Sequence, residues 1–108
     1  MTIDDARRIL REANIREDCC VILPQMRTMG TLSIARTDDD RWRVSLFEQG
    51  GYDIDRTFDT EDGAVRFFLK NALPEMTFRK DFDSTKLPPP QAYDAWQRRE
   101  LERYGLAD

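Results

Sequence analysis

The sequence predicts one α+β domain in which a four-stranded antiparallel sheet, arranged as a meander, is combined with three helices. Apolar residues recur at one-turn spacing in three segments, which predicts the helices. Apolar and polar residues alternate in three consecutive segments joined by short polar turns, which predicts most of the sheet. The length of 108 residues suits a single domain over residues 1–108.

The first element is an N-terminal helix over residues 3–13, followed by a short strand. Thr2 can cap the start of the helix, and Asn14 can end it. Residues 19–23 form an apolar run that is typical of a strand buried on both faces, and Pro24 ends this strand or leaves it at a sheet edge. The apolar stripe of the helix consists of Ile3, Ala6, Ile9, Leu10 and Ala13.

Three further strands are predicted at residues 31–35, 42–46 and 52–58, where apolar and polar residues alternate. The polar residues 37–40 form the first turn between them, and residues 49–51 form the second, glycine-containing turn. Because consecutive strands joined by short turns pair side by side, the sequence predicts an antiparallel meander.

A covering helix is predicted at about residues 60–73. Asp59 or Thr60 can cap it, and Pro74 closes it because a residue before proline resists helical geometry. Its apolar stripe should lie on the apolar face of the sheet. The side chains that it would cover are Trp42, Val44, Leu46, Ile54 and Phe58.

The C-terminal part is predicted to be a Pro-rich linker, residues 81–90, followed by a helix at about residues 90–104. Gly105 is a natural stop for this helix. Tyr93 and Trp96 share one of its faces, so the helix docks either on its own domain or on a partner.

The composition excludes several kinds of active site. The chain has no histidine, the commonest general base and metal ligand. Cys19 and Cys20 are adjacent, so they are a poor zinc site and an improbable disulfide, and they suit a reducing compartment. No phosphate-binding glycine loop occurs. We therefore expect no catalytic residue, no metal ion and no cofactor.

The charge balance favours a protein partner. Seventeen Lys and Arg stand against twenty-one Asp and Glu, and the net charge of −4 gives no general attraction to nucleic acid or to an anionic membrane. The N-terminal segment lacks the features of a signal peptide, and no stretch approaches the roughly 20 apolar residues of a membrane span. We expect a cytoplasmic chain that is a monomer or weak dimer when free and that binds a basic protein.

Two carboxylate clusters suggest other chemistry. Asp53 and Asp55, with Glu48 and Asp59 nearby in sequence, could serve a small carboxylate-dependent hydrolase if a pocket desolvated one of them. The run of Asp38, Asp39 and Asp40 lacks the ligand spacing of a calcium loop, so a solvated hairpin tip is expected there.

A binding surface is therefore predicted on the exposed sheet face and its hairpins. Carboxylates around an aromatic anchor suit a basic partner, because complementary charge speeds association and sets specificity. The predicted partner-binding residues are Asp38, Asp39, Asp40, Phe47, Glu48, Tyr52, Asp53 and Asp55.

Residues 30–73 also resemble a known class of proteins. The matching features are a Trp-Xaa-Val strand, an Arg-Xaa-Phe strand end and a helix that opens with Thr-Glu-Asp-Xaa-Ala. They resemble the small immunity proteins of bacterial polymorphic toxin and contact-dependent inhibition systems. The residues concerned are Trp42, Val44, Arg56, Phe58, Thr60, Glu61, Asp62 and Ala64.

The resemblance implies a non-catalytic protein in the bacterial cytoplasm that binds and neutralises a cognate toxin domain, often one with a basic cleft. Two alternatives remain open from the residues. One is an adaptor or accessory subunit that inserts Tyr93 and Trp96 of its C-terminal helix into a partner's groove. The other is the small carboxylate hydrolase.

Overall fold

The computed structural model describes residues 1–23, 30–48 and 51–107, with the side chain of Glu48 outside the described part. The predicted turn residues Gln49 and Gly50 also lie outside it. The chain is an α+β protein, as predicted. Its helices and strands are α1 (Ile3–Glu12), β1 (Cys20–Ile22), β2 (Thr31–Arg36), β3 (Trp42–Glu48), β4 (Gly51–Phe58), α2 (Glu61–Ala72) and α3 (Pro90–Arg103). Two 3₁₀ turns, Met76–Phe78 and Ser84–Lys86, lie between α2 and α3.

The four strands form one sheet in the order β1-β2-β3-β4. The antiparallel meander of β2, β3 and β4 matches the prediction, but β1 runs parallel to β2, so the fully antiparallel sheet was wrong. The three residues of β1 carry no local signal for the direction of pairing. The segment between β1 and β2 is also longer in sequence than the two-residue turn that imposes an antiparallel hairpin.

The core lies between one face of the sheet and the helices α1 and α2. Thr60 caps α2 by accepting a hydrogen bond from the Gly63 N–H at 3.1 Å, which fixes where the helix begins. The apolar stripe of α2 is then buried, with Phe68 fully inaccessible. Burying a side chain of this size contributes about 1.5–3 kcal/mol. Of the five sheet residues expected beneath α2, Val44 is fully buried, and the other four pack partly buried against the core.

A β-bulge interrupts the pairing of β3 with β4. Leu46 pairs with Ile54, but the next pair is Phe47 with Tyr52, so Asp53 is the extra residue of β4. The bulge moves Tyr52 to the face of the sheet that points away from α2, where it lies beside Phe47. Simple alternation along β4 would have placed Tyr52 on the opposite face.

Helix α3 docks on its own chain. The Tyr93 hydroxyl accepts a hydrogen bond from the Met76 N–H at 3.2 Å and donates one to the Pro74 carbonyl at 3.1 Å. Gln97 donates to the same carbonyl at 3.0 Å. Leu106, beyond the helix, is only 2% exposed and belongs to the core. Among residues 1–23, 30–48 and 51–107, no helix has the length and apolar character needed to cross a bilayer.

Candidate functional site

Four side chains of β3 and β4 form a cluster on the sheet face away from α2, which we call the Tyr52 surface: Arg43, Phe47, Tyr52 and Asp55. The guanidinium carbon of Arg43 lies 4.9 Å from the centre of the Tyr52 ring. The rings of Phe47 and Tyr52 meet edge to face, with centroids 5.5 Å apart. Tyr52 is 42% exposed, one of two large apolar or aromatic side chains that are so exposed in the described part of the chain.

A bidentate ion pair orders this cluster. Arg43 Nε and Nη2 donate to the two carboxylate oxygens of Asp55 at 2.7 and 3.0 Å. These hydrogen bonds hold the pKa of Asp55 below its usual value and raise that of Arg43. The pair is partly exposed, so its net contribution to stability is small, and its main effect is to hold the Arg43 fork beneath Tyr52.

The predicted acidic residues do not all come together. Asp38, Asp39 and Asp40 lie at the β2–β3 turn, whereas Phe47, Tyr52 and Asp53 lie toward the other end of β3. Asp40 and Phe47 are seven residues apart, which corresponds to about 23 Å along a strand. The predicted eight residues thus divide into three at the β2–β3 turn, three of the Tyr52 surface, Asp53 at the bulge, and Glu48, whose side chain lies outside the described part.

Arginines lie among these aspartates. Arg36 pairs with Asp40 at 2.9 Å, and Arg41 pairs with Asp59 at 2.8 Å. The Thr37 hydroxyl donates to Asp39 and lowers the pKa of that carboxyl. Within the described part, Asp38, Asp39 and Asp53 make no ion pair, whereas Asp40 and Asp55 each pair with an arginine.

Hydrogen bonds shift the pKa of several carboxyl groups in the described part of the chain. A general acid at neutral pH needs a raised pKa, whereas each of these five groups has a lowered pKa. Hydrogen bonds to the ionised form cause each of these shifts, most directly where Arg43 binds Asp55. The five groups are Asp5, Asp39, Asp55, Asp62 and Asp83.

The cysteines are both buried and free. Burial raises the pKa of Cys20 far above neutrality, so its thiol stays protonated and inert. Arg16 Nη2 donates to the sulfur of Cys19 at 2.7 Å, a contact with a cation that sequence spacing alone did not predict. Among the described residues, no three His, Cys, Asp or Glu side chains are grouped so that they could hold a metal ion.

Arg79 is the most deeply placed charged group, and its role was not anticipated from the sequence. It is 7% exposed and lies at a cavity of about 380 Å³ between the end of α1 and α3. Its Nη1 donates to the Ala13 carbonyl, and its Nη2 donates to the Leu73 carbonyl at 2.7 Å. These carbonyls end α1 and α2, so one guanidinium caps two helices. The carboxylate of Glu100, on α3, forms an ion pair with Arg79, with 3.1 Å between Nη2 and Oε1.

The aromatic residues of α3 are engaged within the chain. Trp96 lies over Arg79, with 5.0 Å between the guanidinium carbon and the ring centre. Tyr93 packs against Trp96 and binds the Pro74 carbonyl. An adaptor that offers Tyr93 and Trp96 to a partner would first have to break these contacts.

No protein-family model, curated protein or solved structure matches this chain. The resemblance of residues 30–73 to immunity proteins therefore rests on the sequence features named above.

Proposed function

We propose that this chain is a non-catalytic protein-binding module that engages its partner through the Tyr52 surface. The observation that carries the proposal is an exposed tyrosine stacked on an arginine that is already fixed by Asp55. Tyrosine and arginine are the residues that most often dominate binding energy at protein interfaces. Because Arg43 is ordered before binding, less side-chain entropy is lost when a partner covers it.

We further propose that the partner is a bacterial toxin domain and that this chain is its immunity protein. The resemblance of residues 30–73 supplies this identity. The net charge of −4 suits a toxin with a basic surface, as do Asp38, Asp39 and Asp53, which make no ion pair with any described residue. Such complementarity would speed association more than it would raise affinity.

A protein that neutralises a toxin by covering its surface needs no reactive group. The chemistry of the described residues is consistent with such a role. Carboxyl groups with lowered pKa values remain ionised near neutral pH and cannot donate a proton. The buried Cys20 thiol cannot act as a nucleophile while it is protonated. The proposal therefore assigns the carboxylates to recognition.

The test uses the toxin domain encoded beside the gene for this chain and measures the Kd of the purified pair. We expect Tyr52→Ala to weaken binding by about 2 kcal/mol, or about 30-fold in Kd, because the central anchor is lost. The charge reversal Asp53→Lys with Asp55→Lys should weaken it as well. In cells, the same variants should fail to restore growth in the presence of the toxin.

Leu87→Ala is the matched control, since Leu87 is 58% exposed and lies outside the Tyr52 surface. It should bind as the unaltered chain does. Circular dichroism should show the same fold for every variant. Equal affinity of Tyr52→Ala and the unaltered chain would contradict the interface, and a gene neighbourhood without a toxic domain would contradict the immunity role.

A further inference from the structure

A groove of about 300 Å³ lies between α1 and β1, at the opposite edge of the sheet from the Tyr52 surface. Among the described residues, four cations and one carboxylate, that of Glu17, line it. Arg7 and Arg16 have carboxylate neighbours at 3.2 and 3.6 Å. Arg11 and Lys80 are exposed and make no ion pair within the described part of the chain. On a chain of net charge −4, this groove is a local concentration of positive charge.

The floor of the groove is apolar. Ile15 and Cys20 are 4% and 5% exposed, and Leu10 and Ile22 are half-buried beside them. An apolar side chain that enters the groove would move from water into contact with these apolar surfaces, and this transfer favours binding. The groove therefore combines a place for an apolar residue with cations around its rim.

Among the described strands, β1 pairs only with β2, so it has an outer side. The C=O of Cys19 and the N–H of Leu23 hydrogen-bond to β2 at 2.8 and 3.0 Å. Because alternate residues of a parallel strand bond to the same neighbour, the N–H and C=O groups of Cys20 and Ile22 point to the outer side. Within residues 1–23, 30–48 and 51–107, these outer groups make no backbone hydrogen bond.

We propose that this groove binds an extended acidic segment of a protein partner, which adds to the outer edge of β1 as a further strand. Alternate side chains of such a strand point to one side. One apolar side chain would enter between Leu10 and Ile22, and neighbouring carboxylates would reach Arg11 and Lys80. This site goes beyond the proposed function, because it lies at the other edge of the sheet and selects the opposite charge.

The other free edge of the sheet, β4, is less suited to strand addition. Its bulge at Asp53 breaks the regular ladder, and Asp55 and Arg56 are exposed charges along it. Bulges and charges of this kind are the usual means by which proteins prevent pairing at an edge. The edge of β1 is instead flanked by the apolar Cys20 and Ile22.

The test measures binding of a fluorescein-labelled octapeptide in which glutamate alternates with leucine or valine, by fluorescence anisotropy on the full chain. We expect saturable binding that weakens at least about tenfold in the double variant Arg11→Glu with Lys80→Glu. Arg98→Glu with Arg99→Glu, on the exposed side of α3, is the charge-matched control and should bind as the unaltered chain does. Amide exchange followed by NMR should show new protection of Cys20 and Ile22 when the peptide is bound.

Two further peptides separate the contribution of peptide charge from that of backbone hydrogen bonding. Replacing glutamate by lysine should abolish binding, and replacing one central residue by proline should weaken it at least about tenfold, because a backbone N–H is lost. Absence of saturable binding, equal binding by the Arg11→Glu/Lys80→Glu variant, or equal binding of the proline peptide would overturn the proposal. Protection of Cys20 and Ile22 that rises with protein concentration without peptide would also overturn it, in favour of a second copy at this edge.

Discussion

At the scale of single residues, Arg79 connects three segments of the fold. It satisfies the carbonyls of Ala13 and Leu73 at two helix ends and pairs with Glu100, which is 14% exposed. A buried ion pair is not stabilising in itself, because desolvation opposes the attraction. The two carbonyl bonds change that balance, since both helix ends would otherwise carry unsatisfied acceptors.

We expect Arg79→Ala to lower the free energy of unfolding by about 3–5 kcal/mol, because Glu100 would be left as an uncompensated, mostly buried charge. Arg79→Lys should fall between this variant and the unaltered chain, because an ammonium group cannot reproduce the fork that reaches both carbonyls. Urea denaturation measures all three. Arg98→Ala, at an exposed position on the same helix as Glu100, should change stability by less than about 0.5 kcal/mol. A similar cost for Lys and Ala at position 79 would contradict the role of the fork.

Asp55 makes stability depend on pH at the residue scale. Its pKa in the folded state is lowered by the hydrogen bonds from Arg43, so its contribution is present above the unfolded-state pKa and is lost as pH falls through the folded-state pKa. We expect Asp55→Asn to make the loss of stability below about pH 4 less steep. Urea midpoints across this range measure the slope. If Arg43→Gln is already present, adding Asp55→Asn should have no further effect on the slope, and a remaining effect would show another partner for Asp55.

At the scale of elements, two tyrosines of the α3 region give opposite expectations. Tyr93 makes two hydrogen bonds that tie α3 to Pro74 and Met76, whereas the Tyr104 hydroxyl is buried and, within the described part, has no partner. Removing a bonded hydroxyl leaves its partners unsatisfied, and removing an unbonded one relieves a desolvation cost.

Tyr93→Phe should therefore destabilise the chain by about 1–2 kcal/mol, and Tyr104→Phe should be neutral or slightly stabilising. Thermal denaturation of the two variants checks the sign of each effect. Hydrogen exchange should rise in α3 of Tyr93→Phe before it rises in β2 and β3, because the loosened element opens locally. Equal destabilisation by the two variants would contradict the assigned bonding.

The sequence predicts some elements better than others for physical reasons. The meander of β2, β3 and β4 is encoded locally, since alternation gives each strand and short polar turns join them. The direction of β1 is not encoded locally, because three strand residues carry no signal that separates parallel from antiparallel pairing. The bulge at Asp53 likewise depends on how β3 and β4 fit together.

The candidate sites likewise include residues that local sequence patterns predict and residues that only the fold brings together. Phe47, Tyr52 and Asp55 could be predicted as a surface because they flank a turn or alternate with core residues. Arg43 became part of the site only through the register that places Ser45 opposite Asp55, which alternation within one strand does not reveal. Arg79 had no local signal, because its partners lie on three other segments of the chain.

At the scale of the whole molecule, the two edges of one sheet carry different chemistry. The β4 edge has the Tyr52 surface and Asp53, which makes no ion pair with any described residue. The β1 edge has the cationic groove. A small mixed sheet with α1 and α2 on one face thus separates two candidate surfaces by its full width. Occupation of one edge need not obstruct the other.

The bond from Arg79 to Ala13 joins positions 66 residues apart. Closing a loop of that length costs conformational entropy. We therefore expect the hydrogen bond between Arg79 and Ala13 to form late in folding. Contacts that form late affect how long the native state lasts more than how fast it is reached. Arg79 would then set the lifetime of the folded chain, and its loss would accelerate unfolding while refolding kept nearly the same rate.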